Sequence, residues 1–381
     1  MKFIHLSDLH IGKIVNGYSM LEEQKHVFNQ VLKYVKSEKP EAVVIAGDVY
    51  DKAVPSVAAV RVFDDFITSL AGKNIAVILI SGNHDSPERV NFASRLLSHR
   101  KVYFCGVFGG KMQKVVLEDE HGIINFWLLP FIKPAMVYGM LGTETESYGD
   151  VIKAVIDAAN VDATSRNVLV SHQFYTKAGV SPDLSESELR PIGGLDAVNV
   201  QTINIFDYVA LGHLHKRQFV GSKRIHYSGS PLKYSFSERE HEKSATLVEM
   251  GKKGDIQFKP LPLIPIHDMR QIEGKIDTLM SDAFSGLANK NDYLRVVLTD
   301  EDEIIDPLGK LRSVYPNIMS LDFENKRANI QPSANGLDIE SMEGLSPYEL
   351  FSEFFLETQG SAMSAEQAEI VRSLLEGLGE Q

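Results

Sequence analysis

Short, continuous apolar runs recur along the first half of the chain: Lys2 to Ser7, Ala42 to Ala46, Ala76 to Ser81, Val102 to Gly106, Ile124 to Pro130, Asn167 to Ser171 and Tyr208 to Leu211. Runs rich in Val, Ile and Leu predict strands covered on both faces. Between the first three, apolar positions recur at helical spacing instead: Leu21, Phe28, Val31, Leu32 and Val35, then Val57, Val60, Phe63, Ile67 and Leu70. This alternation predicts an α/β domain whose sheet is covered by helices.

After about Glu242 the pattern changes. Ser244 to Met250 predicts a last strand ending in the turn-like Gly251-Lys252-Lys253-Gly254, and Lys259 to Pro265, reading KPLPLIP, predicts an extended connection stiffened by proline. A smaller strand-helix-strand-helix-strand pattern follows from Ile266 to Phe323, with Tyr293 to Leu298 as one strand. A polar stretch from Glu324 to Glu343 then precedes two short helices, Pro347 to Glu357 and Ala365 to Leu378. The expected domains are therefore 1–258, 259–325 and 326–381. Phe351, Phe354, Ile370 and Leu374 make the terminal helices apolar enough to dock on the body or on a partner.

Composition narrows the chemistry. With 381 residues, 44% of them apolar, the chain can bury a large core. The single cysteine, Cys105, excludes internal disulfides and thiolate metal clusters, so any metal must be held by His, Asp, Glu and Asn. No apolar run approaches the roughly 20 residues of a membrane helix, and Met1 leads straight into a strand-like run without a signal-peptide pattern. A cytoplasmic chain with no membrane partner is expected. The net charge of -12 argues against a free-standing nucleic-acid binder with a broadly basic surface. Local basic clusters remain: Arg89, Arg95, Arg100 and Lys101, and Lys216, Arg217, Lys223 and Arg224.

Polar residues collect where the apolar strands stop. The ends read Ser7-Asp8-Leu9-His10, Gly47-Asp48-Val49-Tyr50-Asp51, Gly82-Asn83-His84-Asp85, Ser171-His172-Gln173 and Gly212-His213-Leu214-His215. Carboxyl edges of α/β sheets are where ligand-binding groups converge. In Asp8-x-His10 and His213-x-His215 the spacing of two puts both side chains on one side of an extended backbone. Carboxylates and neutral imidazoles suit Mn, Fe or Zn, and Mg less readily. Asp8, His10, Asp48, Asn83, His172, His213 and His215 are sufficient in number and type for two cations sharing one carboxylate. Gly82 is expected to permit the turn, and Asp85 with Pro87 to start the next helix.

These five blocks resemble the signature of the calcineurin-like metallophosphoesterase superfamily. More closely, MKFIHLSDLHIGK, IAGDVYD, ISGNHDSPER, YSGSPLKYSFSE (227–238) and SPYELFSEFF are similar to blocks of the Mre-type nucleases, over nearly the whole chain. The resemblance implies a metallophosphoesterase fold, a two-sheet sandwich flanked by helices, with a small α/β capping domain and C-terminal helices. It implies two divalent metal ions, usually manganese. Asp8, His10, Asp48 and His215 would hold one, and Asp48, Asn83, His172 and His213 the other. His84 would be the catalytic non-ligand histidine, stabilising developing charge or protonating the leaving oxygen. Asp51 and Asp85 would orient His84 or metal-bound water. Related nucleases carry a histidine near the position of Asp51, which keeps Asp51 out of the catalytic core.

The implied substrate is DNA, cut exonucleolytically at duplex ends and endonucleolytically in single strands. The implied partner is an SMC-like ATPase held by the C-terminal helices, around a homodimer within a heterotetramer. Arg89, Lys216 and Arg217 are the candidate DNA contacts. Two other readings stand beside this one: a metallophosphoesterase acting on another substrate class, and a non-catalytic DNA-tethering scaffold.

Overall fold

The apolar runs pair into two sheets. The computed structural model describes residues 1–137, 140, 147–177, 182–188, 197–324, 346–359 and 362–378. Its first six-stranded sheet has the order Ile256–Pro262, Ser244–Met250, Lys2–Leu6, Ala42–Ala46, Ala76–Ile80, Val102–Cys105. The last four of these run parallel, and Ser244–Met250 and Ile256–Pro262 extend the sheet as an antiparallel hairpin beside Lys2–Leu6. The second six-stranded sheet has the order Gln218–Val220, Ser222–Tyr227, Tyr208–Leu211, Arg166–Ser171, Gly122–Leu129, Gln113–Asp119. Its central four strands are parallel and both edges antiparallel.

Alternation along each strand places one face of each sheet in a shared core. Phe3, Val44 and Ile78 from the first sheet meet Phe126, Val168 and Tyr208 from the second. The Phe3 ring stands edge-on to Phe126 at 5.5 Å between centroids. On the outer face of the second sheet, Leu169 and Val209 pack with Val151, Ile152 and Val155 of the helix Tyr148–Ala158. The helices Leu21–Glu38 and Val57–Ala71 meet through Phe28 stacked on Phe66, 4.7 Å apart. This is the expected two-sheet sandwich flanked by helices. Phe126 is wholly buried in the shared core, so Phe126→Ala is expected to cost about 3–5 kcal/mol, read as a lower urea midpoint. A change below about 1 kcal/mol would show that the two sheets do not depend on this layer.

Two expectations are corrected. The buried stripe of Val57–Ala71 is Ala59, Val62, Phe66, Ile67 and Leu70, while Val57 and Val60 are 70% and 44% exposed. The true stripe uses a small residue, Ala59, which apolar size alone does not rank. Residues 259–262, expected in a connection, complete the edge strand Ile256–Pro262, so the expected boundary at 258/259 falls inside a strand. Pro260 and Pro262 are tolerated because an edge strand has one side without a ladder.

The chain divides into two compact units, Met1–Met269 and Arg270–Gln381. In the second, strands Tyr293–Leu298 and Ile318–Phe323 pair in parallel, and the three-stranded sheet is completed by Met269–Gly274. Leu279, Leu294, Val296, Leu311 and Ile318 form its core. Helices Pro347–Gln359 and Ala365–Leu378 lie where the apolar pattern predicts them. The Arg372 guanidinium of one sits 4.7 Å over the Tyr348 ring of the other, and Phe351, Phe354, Ile370 and Leu374 are exposed. The expected polar stretch lies, from residue 325 to 345, outside the described residues. Among the described residues no helix is long and apolar enough to cross a membrane.

Candidate metal centre

The parallel strands of both sheets deliver their polar ends to one place. Lys2–Leu6, Ala42–Ala46 and Ala76–Ile80 bring Asp8 and His10, Asp48, and Asn83 with His84; Arg166–Ser171 and Tyr208–Leu211 bring His172, and His213 with His215. Four of these residues leave their strands in left-handed backbone: Asp8 (φ 53°), His10 (φ 43°), Asp48 (φ 49°) and His213 (φ 101°). Non-glycine residues rarely adopt this region, and such strain persists where surrounding structure holds it for a purpose. Here the Asp8 N–H donates to the Gly47 carbonyl at 3.1 Å and the His10 N–H to the Asp48 carbonyl at 3.0 Å.

The glycines before the donors make room. A Cβ on Gly82 would lie 2.2 Å from Asp48 Oδ1 and 2.4 Å from its backbone nitrogen, and one on Gly212 would lie 2.0 Å from the Ala46 carbonyl oxygen. Gly82 is not left-handed. Its role is close approach to Asp48, where a turn was expected.

Donor atoms converge in three groupings, each within 4.8 Å: Asp8, His10 and His215; His10, Asp48 and His84; Asp8, Asp48 and His172. His10 Nε2 faces His215 Nε2 at 3.1 Å. Asp48 Oδ2 lies 3.7 Å from His10 Nε2 and 3.2 Å from His172 Nε2, between the two sides. Asn83 Oδ1 lies 3.1 Å from both His172 Nε2 and His213 Nδ1. All seven expected ligands therefore meet around Asp48.

Partners on the far ring nitrogens fix how the imidazoles present themselves. His172 Nδ1 donates to the Ala46 carbonyl at 2.6 Å. His215 Nδ1 meets Ser187 Oγ at 2.8 Å and Glu238 Oε1 at 3.2 Å, while the His215 backbone N–H donates to Glu188. Gln24 Nε2 donates to the His10 carbonyl at 2.8 Å, and its Oε1 accepts from the Gly12 N–H at 3.0 Å. The hydroxyl of Tyr234 donates to the Leu9 carbonyl. The sequence patterns did not single out Gln24, Ser187, Glu188 or Glu238. Gln24 did leave a signal, since it sits on the buried stripe of its helix beside Val27, Phe28 and Val31.

Burial sets the electrostatics. It works to raise the Asp48 carboxyl, but the adjacent His172 overrides it and holds Asp48 well below the usual carboxylate range. Burial likewise works to lower His172, and Asp48 reverses that, pushing the imidazole up to about 9. Burial pushes His10 well down and His213 down to about 3, leaving both neutral and able to donate a lone pair. The Asp8 carboxyl is raised, chiefly by burial. Buried carboxylates facing neutral imidazoles fit a pair of divalent cations in both charge and donor type.

The remaining candidates lie around this cluster. His84 is half-buried, its Nδ1–H donates to the Asp51 carbonyl at 3.0 Å, and its backbone N–H donates to Asp48 Oδ1 at 2.9 Å. Asp51 meets His84 through its backbone, whereas its carboxylate pairs with Lys13 at 2.8 Å and lies 3.9 Å from His10 Nδ1. Asp85 does not cap the following helix, where Ser86 holds the N-cap position ahead of Pro87. Its carboxylate accepts from the N–H groups of Gly82, Val49 and Tyr50 at 2.9–3.1 Å, tying two donor loops together. Burial, then Asp48, pushes Asp85 up to about 6. Arg89 is exposed on the short helix Pro87–Val90. Lys216 pairs with Asp183, and the Arg217 guanidinium lies 5.9 Å from the Phe219 ring centre.

Comparison with known proteins agrees with this geometry. Residues 1–217 match the family described as calcineurin-like phosphoesterase, and residues 265–359 match one described as type 5 capsule protein repressor C-terminal domain. The chain is 33% identical over 327 residues to the SbcD subunit of the nuclease SbcCD from Staphylococcus epidermidis, spanning 84% of this chain and 85% of that one. Similar solved structures include a protein from Thermus thermophilus (TM-score 0.39, 13% identity, 68% of this chain and 98% of that one). Another is a dimetal phosphatase from Danio rerio (TM-score 0.41, 12% identity, 70% and 97%).

Proposed function

Because the chain belongs to the calcineurin-like phosphoesterases, and within them to the family of SbcD nuclease subunits, we propose that it is a metal-dependent DNA nuclease. It acts with an SbcC-type, SMC-like ATPase on duplex ends as an exonuclease and on single strands as an endonuclease, in DNA repair, replication and recombination. The observation that carries this reading is the convergence of seven donor side chains from five strand ends in one largely buried cluster that includes Asp48.

Asp8, His10, Asp48 and His215 hold one cation and Asp48, Asn83, His172 and His213 the other, with manganese as the proposed metal. Cations held there would supply Lewis acidity toward a phosphodiester oxygen and lower the pKa of a water near the site. The chain's own residues do the rest. Asp48 joins the two donor sets, and the left-handed turns at Asp8, His10 and His213 aim their donors inward. His84, its Nδ1–H donated to the Asp51 carbonyl, offers Nε2, which in the imidazolium form would carry the proton passed to the leaving oxygen.

Arg89, Lys216 and Arg217 are proposed DNA contacts, although Lys216 must first leave Asp183. The exposed Phe351 and Phe354 of one C-terminal helix, and Ile370 and Leu374 of the other, form the proposed face for the ATPase. The working assembly is a homodimer within a heterotetramer, in the cytoplasm.

The test is digestion of end-labelled duplex DNA by purified chain, with and without the ATPase. Manganese should support product formation, excess EDTA should stop it, and restored manganese should restart it. A chain that binds manganese and hydrolyses a small phosphodiester but leaves DNA intact in both conditions would move the reading to another phosphoesterase substrate.

A further inference from the structure

We propose that Glu238 is a positioning residue for one cation of the pair, acting through His215. The inference rests on the two-cation reading above. Glu238 closes the short turn Phe236–Glu238 and is wholly buried. Its Oε2 is 2.6 Å from Lys243 Nζ, itself buried. Lys243 also donates to Ser230 Oγ at 2.8 Å and to the His215 carbonyl at 3.0 Å, so its three N–H groups all have acceptors. Glu238 Oε1 accepts from the Ser187 hydroxyl at 2.5 Å and faces His215 Nδ1 at 3.2 Å.

A buried ion pair is a poor way to gain stability, since well-packed apolar residues usually do as well or better. The contacts show what else this pair does. Glu238 reaches the His215 ring, Lys243 reaches its carbonyl, and Glu188 takes its N–H. The residue is gripped on every polar atom except Nε2, which faces His10 Nε2. Ser187 Oγ, which donates to Glu238, lies 2.8 Å from Nδ1 and Glu238 itself 3.2 Å, so the carboxylate, directly and through Ser187, keeps the proton on Nδ1, leaves the lone pair on Nε2 and makes that nitrogen more basic.

The other side of the centre is built differently. His172 Nδ1 donates to a neutral backbone carbonyl, that of Ala46. The two donor sets are therefore unequal, and a change at Glu238 should weaken the set containing His215 and spare the set containing His172.

The experiment is manganese titration of the full chain by calorimetry, together with the melting temperature before and after manganese, for three proteins. These are the wild type, Glu238→Gln, and the double variant Glu238→Met with Lys243→Met. The double variant removes both charges together, so it folds without an uncompensated buried ion. We expect two sites in the wild type. One should weaken about 10-fold in Glu238→Gln and about 100-fold in the double variant, with the other unchanged. The melting shift on adding manganese should shrink to match. Two wild-type affinities in a folded double variant, or equal weakening of both sites, would overturn the inference while leaving the nuclease reading intact. A wild-type chain that binds no manganese overturns both.

Discussion

Asp48→Ala is expected to abolish both manganese binding and DNA cleavage, leaving product at the level of a reaction without protein. Asp48 bears on both sides of the centre. Its Oδ2 stands between His10 and His172, and it belongs to two of the three donor groupings. It also provides the counter-charge that keeps the His172 imidazole high, so its loss unbalances a buried site as well as removing a shared ligand. Calorimetric titration of the variant should show neither site at manganese concentrations that saturate the wild type. One remaining site of wild-type affinity would show that Asp48 does not join the two donor sets.

His84→Gln should separate chemistry from metal binding. Cleavage is expected to fall by about 10²–10⁴-fold, the usual loss when a positioned proton donor is removed, while manganese stoichiometry and melting temperature stay at wild-type values. The separation follows from how His84 is attached. It holds Asp48 through its backbone N–H, which a Gln side chain preserves, while its ring donates to the Asp51 carbonyl and stands edge-on to His10 at 4.8 Å between centroids. His84 also lies within 4.8 Å of His10 and Asp48 donor atoms. Loss of a manganese site in the variant would therefore reassign it as a ligand.

The strands were legible because buried parallel strands need continuous apolar runs, and those runs ended in residues with no reason to cluster except chemistry. The seven donors could be proposed from the sequence for the same reason: each lies within four residues of a predicted strand end. What escaped was whatever depends on a neighbour distant in the chain. Val57 and Val60 satisfy helical periodicity yet face outward, because which arc of a helix is buried is decided by the surface it meets. Pro260 and Pro262 read as a connection until an edge position beside Ser244–Met250 makes them acceptable. Glu238 and Lys243 look like ordinary surface charges in sequence. Only burial beside His215 gives them a purpose, and periodicity carries no trace of it.

Gly47, Gly82 and Gly212 show the same limit in finer detail. Each precedes a donor and invites a turn reading, which is right in conformation only for Gly47 (φ 88°). At Gly82 and Gly212 the requirement is the missing Cβ, imposed by Asp48 and Ala46 arriving from elsewhere in the fold.

The order of pairing in the first sheet also bears on when activity can emerge during synthesis. Lys2–Leu6 sits between Ala42–Ala46 and Ser244–Met250, so one of the earliest strands made must wait for one of the last in its unit. His215 and the residues that grip it also leave the ribosome late, long after Asp8 and His10. Such non-local closure is slow, and a chain still emerging from the ribosome therefore carries Asp8, Asp48 and His84 without the centre that would let them cut. A polypeptide interrupted before residue 213 lacks His213 and His215, and with them donors from both sides of the centre.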